Sequence, residues 1–471
     1  MGRQTKMEGR INMGQDLRTF LKHYEESYPK DVIHINDEID GRYETTALIM
    51  ELEKAKRYPV VFFNKVKGHD IPVVANVLAS RQRMGFVFGV AEKQLPHEYA
   101  KRINIIVPPV LIKEAAPFSE NYIAGEDVDL YKLPILTHFP IDAGPYITGG
   151  LVVAKDPVTG VDTCGYHRLQ LKGRDKLGIS LHSRKRMWEF FRRAEEMGKD
   201  LEAAIVLGVH PAFSMGSQAI VPLDQGKYAR IGGLLGEGVQ LANCRSIDVQ
   251  VPFWSEIVIE GHIMAKEREK EGPFAEFTNY ASNRSTENVF KLKAISFKNK
   301  PVYQSVTGGM CAEHNLILAV QREGDLLKSL NEGLPNVKEV NVPLSGCGLF
   351  HCYISLKKTA EGQPLQAILK ALSLDHNLKL VVVVDEDVDI FNESEVLWAM
   401  ATRMQASRDV IITPQNIGMG CILDPSSDES SRSSKMGIDA TKPSGWYPNK
   451  LYIDPDVANK MKTLLNRVES I

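Results

Sequence analysis

The sequence lacks the features that mark a membrane, secreted or nucleic-acid-binding protein. No apolar run approaches the roughly 18 residues that a bilayer-spanning helix needs, and the polar first 20 residues lack the apolar core of a signal peptide. The 57 basic and 59 acidic residues nearly cancel, to a net charge of −2, which gives no general attraction to nucleic acid or anionic lipid. We therefore expect a cytoplasmic protein without a nucleic-acid or membrane partner.

Cysteine is scarce and shows no paired spacing. The six cysteines are scattered, and no CxxC pair occurs. A chain of 471 residues can bury enough apolar surface to fold without a disulfide framework, so we expect reduced thiols, as in the cytosol.

The 471 residues exceed what one hydrophobic core usually serves, so several domains are expected. Helix and strand patterns alternate up to about residue 110, the middle of the chain is rich in strands with one helix at 186–197, and the alternation returns after about 315. The predicted fold class is mixed α/β (α+β), with an N-terminal α/β region (1–114), a barrel-like domain (115–310), a C-terminal α/β domain (311–450) and a C-terminal helix (451–471).

Two local patterns give specific predictions about secondary structure. The run Val381-Val-Val-Val384 predicts a strand that is covered on both faces, as in parallel sheets. Residues 208–217 are punctuated by glycine and proline and show no clear helix or strand pattern, whereas residues 218–222 predict a short strand.

Two glutamates five residues apart, Glu271 and Glu276, are the strongest single indication of chemistry. They follow an alternating strand pattern over residues 255–264, and Gly272 and Pro273 break any helix, so the pair is predicted at a strand-to-loop corner. Two carboxylates in one site shift each other's pKa values, which acid–base catalysis uses. The alternative is a pair of solvated acids around a turn.

Several other segments are candidates for a binding site. Residues 137–150 are rich in glycine and proline, so their backbone path is tightly specified. Residues 162–168 begin a strand and end at Arg168, and the basic run 182–186 leads into a helix, which is a favourable arrangement for a phosphate.

Several motifs resemble those of the UbiD family of reversible decarboxylases, in the same order over essentially the whole chain. They are the stretches 127–139 and 144–150, Tyr166-His-Arg-Leu-Gln170, Glu271-Gly-Pro-Phe-Ala-Glu276, Asp385-Glu-Asp-Val-Asp389 and Gly437-Ile-Asp-Ala-Thr441. The resemblance implies prenylated FMN as the cofactor, a split β-barrel that binds this flavin over residues 115–310, and a C-terminal α/β domain that serves oligomerisation.

The resemblance also implies a catalytic set of Arg168, Glu271 and Glu276, with Glu276 as the proton donor. Arginine can hold a carboxylate through two parallel hydrogen bonds. Loss of CO2 leaves electron density on carbon, which the cofactor can accept, and the acid that then protonates this carbon must be neutral. A neighbouring Glu271 favours the neutral form of Glu276, while Arg168 keeps Glu271 ionised.

The remaining binding residues are also implied by the resemblance. The cofactor-binding set is Thr163, Tyr166, His167, Arg168, Gln170, His182, Ser183, Met215 and Lys227. For Met215 the alternative is an ordinary core methionine. His314, at the start of a predicted helix, is a candidate to hold an anion or the substrate carboxylate, and the alternative is a capping or surface histidine.

The metal site of the family is only partly matched. Relatives bind a divalent metal such as Mn²⁺, together with K⁺, beside the flavin phosphate through an asparagine, a histidine and a glutamate. Here Thr163 stands in place of the asparagine and Lys227 in place of the glutamate, where it would supply its own positive charge. His182 is the histidine candidate, and Asp224 is a substitute ligand because hard cations favour carboxylate oxygen.

The sequence therefore predicts a reversible decarboxylase that uses prenylated FMN, supplied by a flavin prenyltransferase, on an aromatic, heteroaromatic (furan-type) or α,β-unsaturated carboxylic acid. A hydroxybenzoate or a phosphorylated isoprenoid acid is the alternative substrate. A non-catalytic subunit of a carboxylase complex and an ordinary flavin reductase are alternatives from other classes. We expect a homo-oligomer, a dimer or a hexamer.

Overall fold

The structure is a computed structural model that describes residues 14–181, 186–283, 285–414, 421 and 423–468. The predicted site residues His182 and Ser183 lie outside the described residues. Among the described helices, none combines the length and apolar character that crossing a bilayer would require.

The N-terminal region is a small α/β layer. Helix α1 begins after Asp16, whose side chain accepts a hydrogen bond from the Thr19 amide at 2.8 Å and so caps the helix. Strands β1 and β2 pair in parallel, and β2 pairs antiparallel with β3. The elements are α1 (Leu17–Ser27), β1 (Val32–Ile39), α2 (Glu44–Lys54), β2 (Val60–Val66), β3 (Val73–Ala75), α3 (Arg81–Phe88) and α4 (Leu95–Ile103).

The middle of the chain forms a mostly antiparallel sheet that curls into a half barrel. Its elements are β4 (Val110–Leu111), β5 (Asn121–Ala124), β6 (Tyr146–Ile147), β7 (Leu151–Lys155), β8 (Asp162–Tyr166), β9 (Leu169–Gly173), β10 (Lys176–Ile179), α5 (Arg186–Glu196), β11 (Leu201–Leu207), α6 (Pro211–Ser217), α7 (Lys227–Leu235), β12 (Gln240–Asn243), β13 (Gln250–Pro252), β14 (Ile257–Glu271), β15 (Ser285–Phe297) and β16 (Tyr303–Gln304). The strand order is β6-β9-β10-β15-β14-β11-β7-β8, with β5 on β15.

The first two regions also contain two smaller sheets, a three-stranded sheet and the four-stranded N-terminal sheet. Strands β13, β12 and β4 form one of them. Strand β16 returns to the N-terminal sheet and pairs in parallel with β3, so the end of the middle region is built into the N-terminal layer.

The C-terminal region is a second α/β layer. Its elements are α8 (Ala312–Asn331), β17 (Val337–Asn341), β18 (His351–Leu356), α9 (Gln363–Leu374), β19 (Leu380–Asp385), α10 (Glu393–Arg403), α11 (Ala406–Asp409), β20 (Val410–Ile412), β21 (Met436–Ala440) and α12 (Pro455–Val468). The strand order is β17-β18-β19-β21-β20, and β18, β19 and β21 run in parallel.

The predicted valine strand is confirmed. Val381 and Val383 of β19 belong to one hydrophobic cluster, and Val382 and Val384 belong to another. Because successive side chains of a strand point to opposite faces, the two clusters are the cores on the two sides of this sheet.

Hydrophobic cores join the regions to one another. One cluster packs Phe20 of α1 and Met215 of α6 together with Leu316 and Val320 of α8. The interior is therefore continuous across all three regions, which fixes the loops that meet there.

The short strand predicted over residues 218–222 is wrong. The preceding residues form helix α6, and no strand follows before α7. The carbonyl groups of Val221, Pro222 and Leu223 instead accept hydrogen bonds from the guanidinium group of Arg186. These carbonyls accept from a side chain in place of the amides of a neighbouring strand, and an alternating apolar pattern does not reveal such a partner.

Candidate active site

A buried arginine lies between two glutamates at the predicted strand-to-loop corner. The Nε and Nη2 atoms of Arg168 donate to the two carboxylate oxygens of Glu271 at 3.0 and 2.6 Å. Nη1 of Arg168 donates to Glu276 and, at 3.0 Å, to the Ser282 hydroxyl. Glu271 is fully buried and Glu276 is 8% exposed, so the alternative of two solvated acids around a turn is wrong.

Backbone geometry explains why these side chains converge. Glu271 is the last residue of β14, and Arg168 lies in the break between β8 and β9. Gly272 turns the chain with φ +79°, which glycine adopts without strain. The Gln170 amide holds the corner, because its nitrogen donates to the Ala143 carbonyl at 3.2 Å and its oxygen accepts from the Gly272 amide at 3.4 Å.

Two aromatic rings cover one side of the ion pairs. The guanidinium carbon of Arg168 lies 5.6 Å from the ring centre of Phe274, and the Phe274 ring packs on Tyr146 at 4.5 Å between centres. Burial, with the nearby Glu271 carboxylate, raises the pKa of Tyr146 well above its ordinary value, so the phenol stays neutral. The rings lower the local dielectric and strengthen the ion pairs.

Ala275, the residue that precedes Glu276, is held from both sides. The Ala275 amide donates to Oδ1 of Asp142 at 2.8 Å, while the Ala275 carbonyl accepts from the Gly309 amide at 3.1 Å. Oδ2 of Asp142 accepts from the amides of Phe139 and His138 at 2.8 and 3.2 Å. Asp142 therefore ties the glycine- and proline-rich segment 137–150 to the residue that carries Glu276.

His314 is connected to Ala275 through Gly309. Its Nδ1 atom lies 3.1 Å from the Gly309 carbonyl, which can only accept, so Nδ1 carries the proton. Burial lowers the pKa of His314 to about 4. The ring is thus neutral near pH 7, and Nε2 is an acceptor. The side chain keeps some accessible surface, unlike that of Glu313 before it, which is fully buried.

A second neutral histidine lies beside His314. Both ring nitrogens of His138 have hydroxyl partners, Thr46 at 2.8 Å from Nδ1 and Thr148 at 3.3 Å from Nε2. Burial, followed by the neighbouring His314, lowers the pKa of His138 to about 4. Sequence reasoning missed both Asp142 and His138, although each lies within the segment 137–150.

Of the predicted cofactor residues that the structure describes, those between Thr163 and Gln170 lie in or between β8 and β9, whereas Met215 and Lys227 lie on α6 and α7. The Tyr166 hydroxyl lies 2.6 Å from that of Ser214, and Nδ1 of His167 lies 2.9 Å from the Ser180 carbonyl. Residues 165–168 keep accessible surface although their neighbours in β8 and β9 are buried. Met215 is 2% exposed within a hydrophobic cluster, which matches the alternative of a core methionine.

The described residues do not fit the divalent metal site that the resemblance implies. Thr163 is buried and Asp224 is exposed. Nζ of Lys227 donates to the main-chain carbonyls of Cys164, at 2.9 Å, and Ser217. Among the residues that the structure describes, no three His, Cys, Asp or Glu side chains come together as metal ligands.

Comparison with known proteins identifies the family. Three family models, described as the N-terminal, Rift-related and C-terminal domains of 3-octaprenyl-4-hydroxybenzoate carboxy-lyase, match residues 27–103, 110–311 and 315–440. The chain belongs to the UbiD family of carboxy-lyases, which confirms the resemblance seen in the sequence.

Relatives with an assigned activity cover nearly the whole chain. The anhydromevalonate phosphate decarboxylase of Methanothermobacter thermautotrophicus is 30% identical over 90% of this chain and 97% of its own length. The phenolic acid decarboxylase of Bacillus subtilis is 32% identical over 91% of this chain and 93% of its own length.

A solved structure matches the whole fold. The UbiD-class enzyme HmfF from Pelotomaculum thermopropionicum, in complex with FMN, is 36% identical, with a TM-score of 0.89 over 94% of this chain and 98% of that one. An evolved dimeric form of the same enzyme, in complex with prFMN, gives a TM-score of 0.86 at 34% identity, over 94% of this chain and 98% of that one.

Replacing Asp142 tests whether its hold on Ala275 positions Glu276. In Asp142→Asn one carboxylate oxygen becomes an amide donor, so the variant loses at least one of its backbone partners. We expect kcat to fall by roughly 10- to 100-fold, with KM changed less than threefold, because misplacement of a catalytic group acts mainly on the chemical step. Steady-state kinetics on the cofactor-loaded enzyme measures both constants.

Glu260→Gln is the matched control for this test. Glu260 is also fully buried and also accepts from backbone amides, those of Arg245 and Ser246, but it lies near the other end of β14 from Glu271. We expect it to lower the melting temperature without changing kcat. Equal losses of kcat in the two variants would show that Asp142 serves only general stability.

The pKa of His314 makes a testable contribution to stability. Its folded value of about 4 lies below the ordinary 6.5, so the unfolded chain takes up this proton first and stability falls as the pH drops from 6.5 towards 4. In His314→Asn, which keeps a donor for Gly309, the loss of unfolding free energy between pH 7 and pH 5 should be smaller by about 2 kcal/mol. Urea denaturation at the two pH values measures the difference, and identical pH dependence in both proteins would contradict a neutral His314.

Proposed function

We propose that this protein is a reversible, non-oxidative decarboxylase of an aromatic or heteroaromatic carboxylic acid that uses prenylated FMN. The observation that carries the proposal is the buried guanidinium of Arg168, bound by Glu271 and Glu276 in one enclosed site. A carboxylate recognised by arginine beside an acid that can deliver a proton is what loss of CO2 followed by protonation of carbon requires.

The residues around this site suit a flavin. Tyr166 and His167 offer polar groups along the accessible stretch beside Arg168, and a solved relative of the same fold is in complex with prFMN. When bound, prenylated FMN supplies an electrophilic ring that accepts the electron pair left by departing CO2. The chain's own residues then orient the carboxylate and move the proton.

Arg168 couples substrate binding to the state of Glu276. Its Nη1 atom contacts Glu276, and an ion pair with arginine favours the ionised carboxylate. A substrate carboxylate that binds at Nη1 competes for this contact and frees Glu276 to hold a proton. Glu271, bound by the other two guanidinium nitrogens, keeps the arginine in place during this exchange.

His314 bears on substrate choice. A neutral imidazole whose free nitrogen is an acceptor is unsuited to a carboxylate but matches an O–H or N–H group. The ring centre of Phe277 lies 6.2 Å from that of His314, and the ring centre of Phe350 lies 5.8 Å from that of Phe277. The two phenylalanines offer an apolar wall to an aromatic ring. We infer that the favoured acid carries a hydrogen-bond donor on its ring, as a hydroxybenzoate does.

The C-terminal region supports a homo-oligomer. Leu365 and Leu369 project one turn apart from α9, and Met461, Leu464 and Leu465 project from α12, all exposed on one chain. Exposed apolar residues at helical spacing favour contact with another protein surface. Size-exclusion chromatography with light scattering measures the number of copies.

Glu276→Gln tests the proton-donor role. Protein co-expressed with a flavin prenyltransferase should contain near-stoichiometric prenylated FMN by mass spectrometry, in the variant as in the wild type. Decarboxylation, followed as CO2 release, should fall by roughly 100- to 10,000-fold, because glutamine cannot deliver a proton.

Glu269→Gln provides the control, since Glu269 is a partly exposed acid of β14, the strand that ends at Glu271, and pairs with Lys176. It should leave the rate unchanged. Near-normal turnover in Glu276→Gln would contradict the assigned role, and an empty wild-type protein would contradict the cofactor assignment.

Two ring acids of equal shape test the role of His314. Pyrrole-2-carboxylate carries an N–H where furan-2-carboxylate carries an oxygen, so the first can donate to His314 and the second cannot. We expect kcat/KM to be about tenfold or more higher for the pyrrole acid, and this preference to disappear in His314→Leu. Equal kcat/KM for the two acids in the wild type would contradict donor recognition by His314.

A further inference from the structure

Two cationic side chains, Lys227 and Arg186, donate to main-chain carbonyls in and beside the connection between α6 and α7. Nζ of Lys227 donates to the carbonyls of Cys164, at 2.9 Å, and Ser217. The guanidinium of Arg186 donates to carbonyls of the following residues, including those of Pro222 at 2.6 Å and Gln225. Lys227 is 9% exposed, so its ammonium group is an internal charge.

One of the two carbonyls that the Lys227 ammonium contacts, that of Ser217, lies at a helix end where a cation is favourable. Ser217 is the last residue of α6, where helix carbonyls lack intrahelical partners and carry partial negative charge. The Asp162 carboxylate accepts from the Tyr228 amide at 2.9 Å, at the start of the helix that begins with Lys227. A Cβ on Gly226 would stand 2.0 Å from Oδ2 of Asp162, so the chain packs tightly here.

Main-chain carbonyls are among the oxygen ligands with which proteins hold hard metal cations. We propose that the ammonium group of Lys227 is a built-in cation, which occupies a carbonyl site where the protein would otherwise need a bound metal ion. A second cation that shared these oxygens would stand a few ångströms from the ammonium group, in a buried site where like charges repel strongly. The inference does not depend on the decarboxylase assignment.

The proposal predicts that removing the ammonium creates a site for a monovalent cation. Thermal unfolding is measured for wild type, Lys227→Ala and Lys227→Met in KCl, NH4Cl and tetramethylammonium chloride at equal ionic strength. Lys227→Ala should melt at a lower temperature than wild type, and K⁺ or NH4⁺ should raise its melting temperature by about 2–4 °C relative to tetramethylammonium, which is too large to enter.

The wild type and Lys227→Met are the controls. Wild type should melt at the same temperature in all three salts because its site is filled by its own ammonium. Lys227→Met should be insensitive as well, because the methionine side chain fills the space. A wild type that is stabilised by K⁺, or a folded Lys227→Ala that does not distinguish the salts, would overturn the proposal.

Metal analysis keeps the proposal testable if Lys227→Ala does not fold. Wild-type protein purified in the presence of MnCl2 and KCl, then passed through a desalting column without chelator, should contain less than about 0.1 equivalent of either metal by mass spectrometry. Close to one equivalent of manganese or potassium per chain, absent from the denatured protein treated in the same way, would overturn it.

Discussion

The ion pairs of Arg168 are the interaction on which the rest of the site depends. A guanidinium and two carboxylates are costly to bury, and the cost is offset only when the charges meet with good geometry and their other hydrogen-bonding groups are satisfied. Here Glu271 takes two guanidinium nitrogens, while Glu276 and Ser282 share the third. The surrounding amides, rings and turns can be understood as the structure that keeps this arrangement in one geometry.

All three regions of the chain contribute to that support. The half barrel supplies Arg168 and Glu271, and the Asp142 loop packs against them. At the first turn of α8, Glu313 accepts from the amides of Asn76 and Leu78 at 2.8 and 2.9 Å, which joins the C-terminal region to the N-terminal layer. Burial raises the pKa of Glu313 to about 7, so this junction carries a proton more readily than an exposed acid would. His314 follows it on the same helix, and its position relative to Glu276 is therefore set by contacts between regions.

Local patterns in the sequence predicted the parts of the molecule that local rules determine. The corner at Glu271 and the two-faced strand of β19 follow from alternation, from glycine and proline, and from a continuous apolar run. The strand expected at 218–222 failed because its carbonyls find their partner in Arg186, more than thirty residues earlier in the chain. A single sequence does not encode such a pairing in any periodicity.

The residues of the candidate site were likewise predictable only in part from the sequence. Arg168, Glu271 and Glu276 were identified by motif, and the structure brings them together. Asp142 was missed because its role lies in accepting three backbone amides from two segments, although an aspartate in a loop rich in glycine and proline is a usual acceptor of such bonds. The tautomer of His314 depends on the path of the Gly309 carbonyl, which composition and spacing do not determine.

Lys227 shows how a departure from a family pattern can be compensated by charge. The family resemblance implies an acidic metal ligand at this position, and a lysine there reverses the sign of the side chain and would destabilise a site built for a metal ion. Its ammonium group instead donates to the main-chain carbonyls of Cys164 and Ser217. A covalently attached charge does not dissociate, so the connection between α6 and α7 becomes independent of the metal content of its surroundings. An ammonium also has fewer and more directional contacts than a metal ion, which suits hydrogen bonds to individual main-chain oxygens such as those of Cys164 and Ser217.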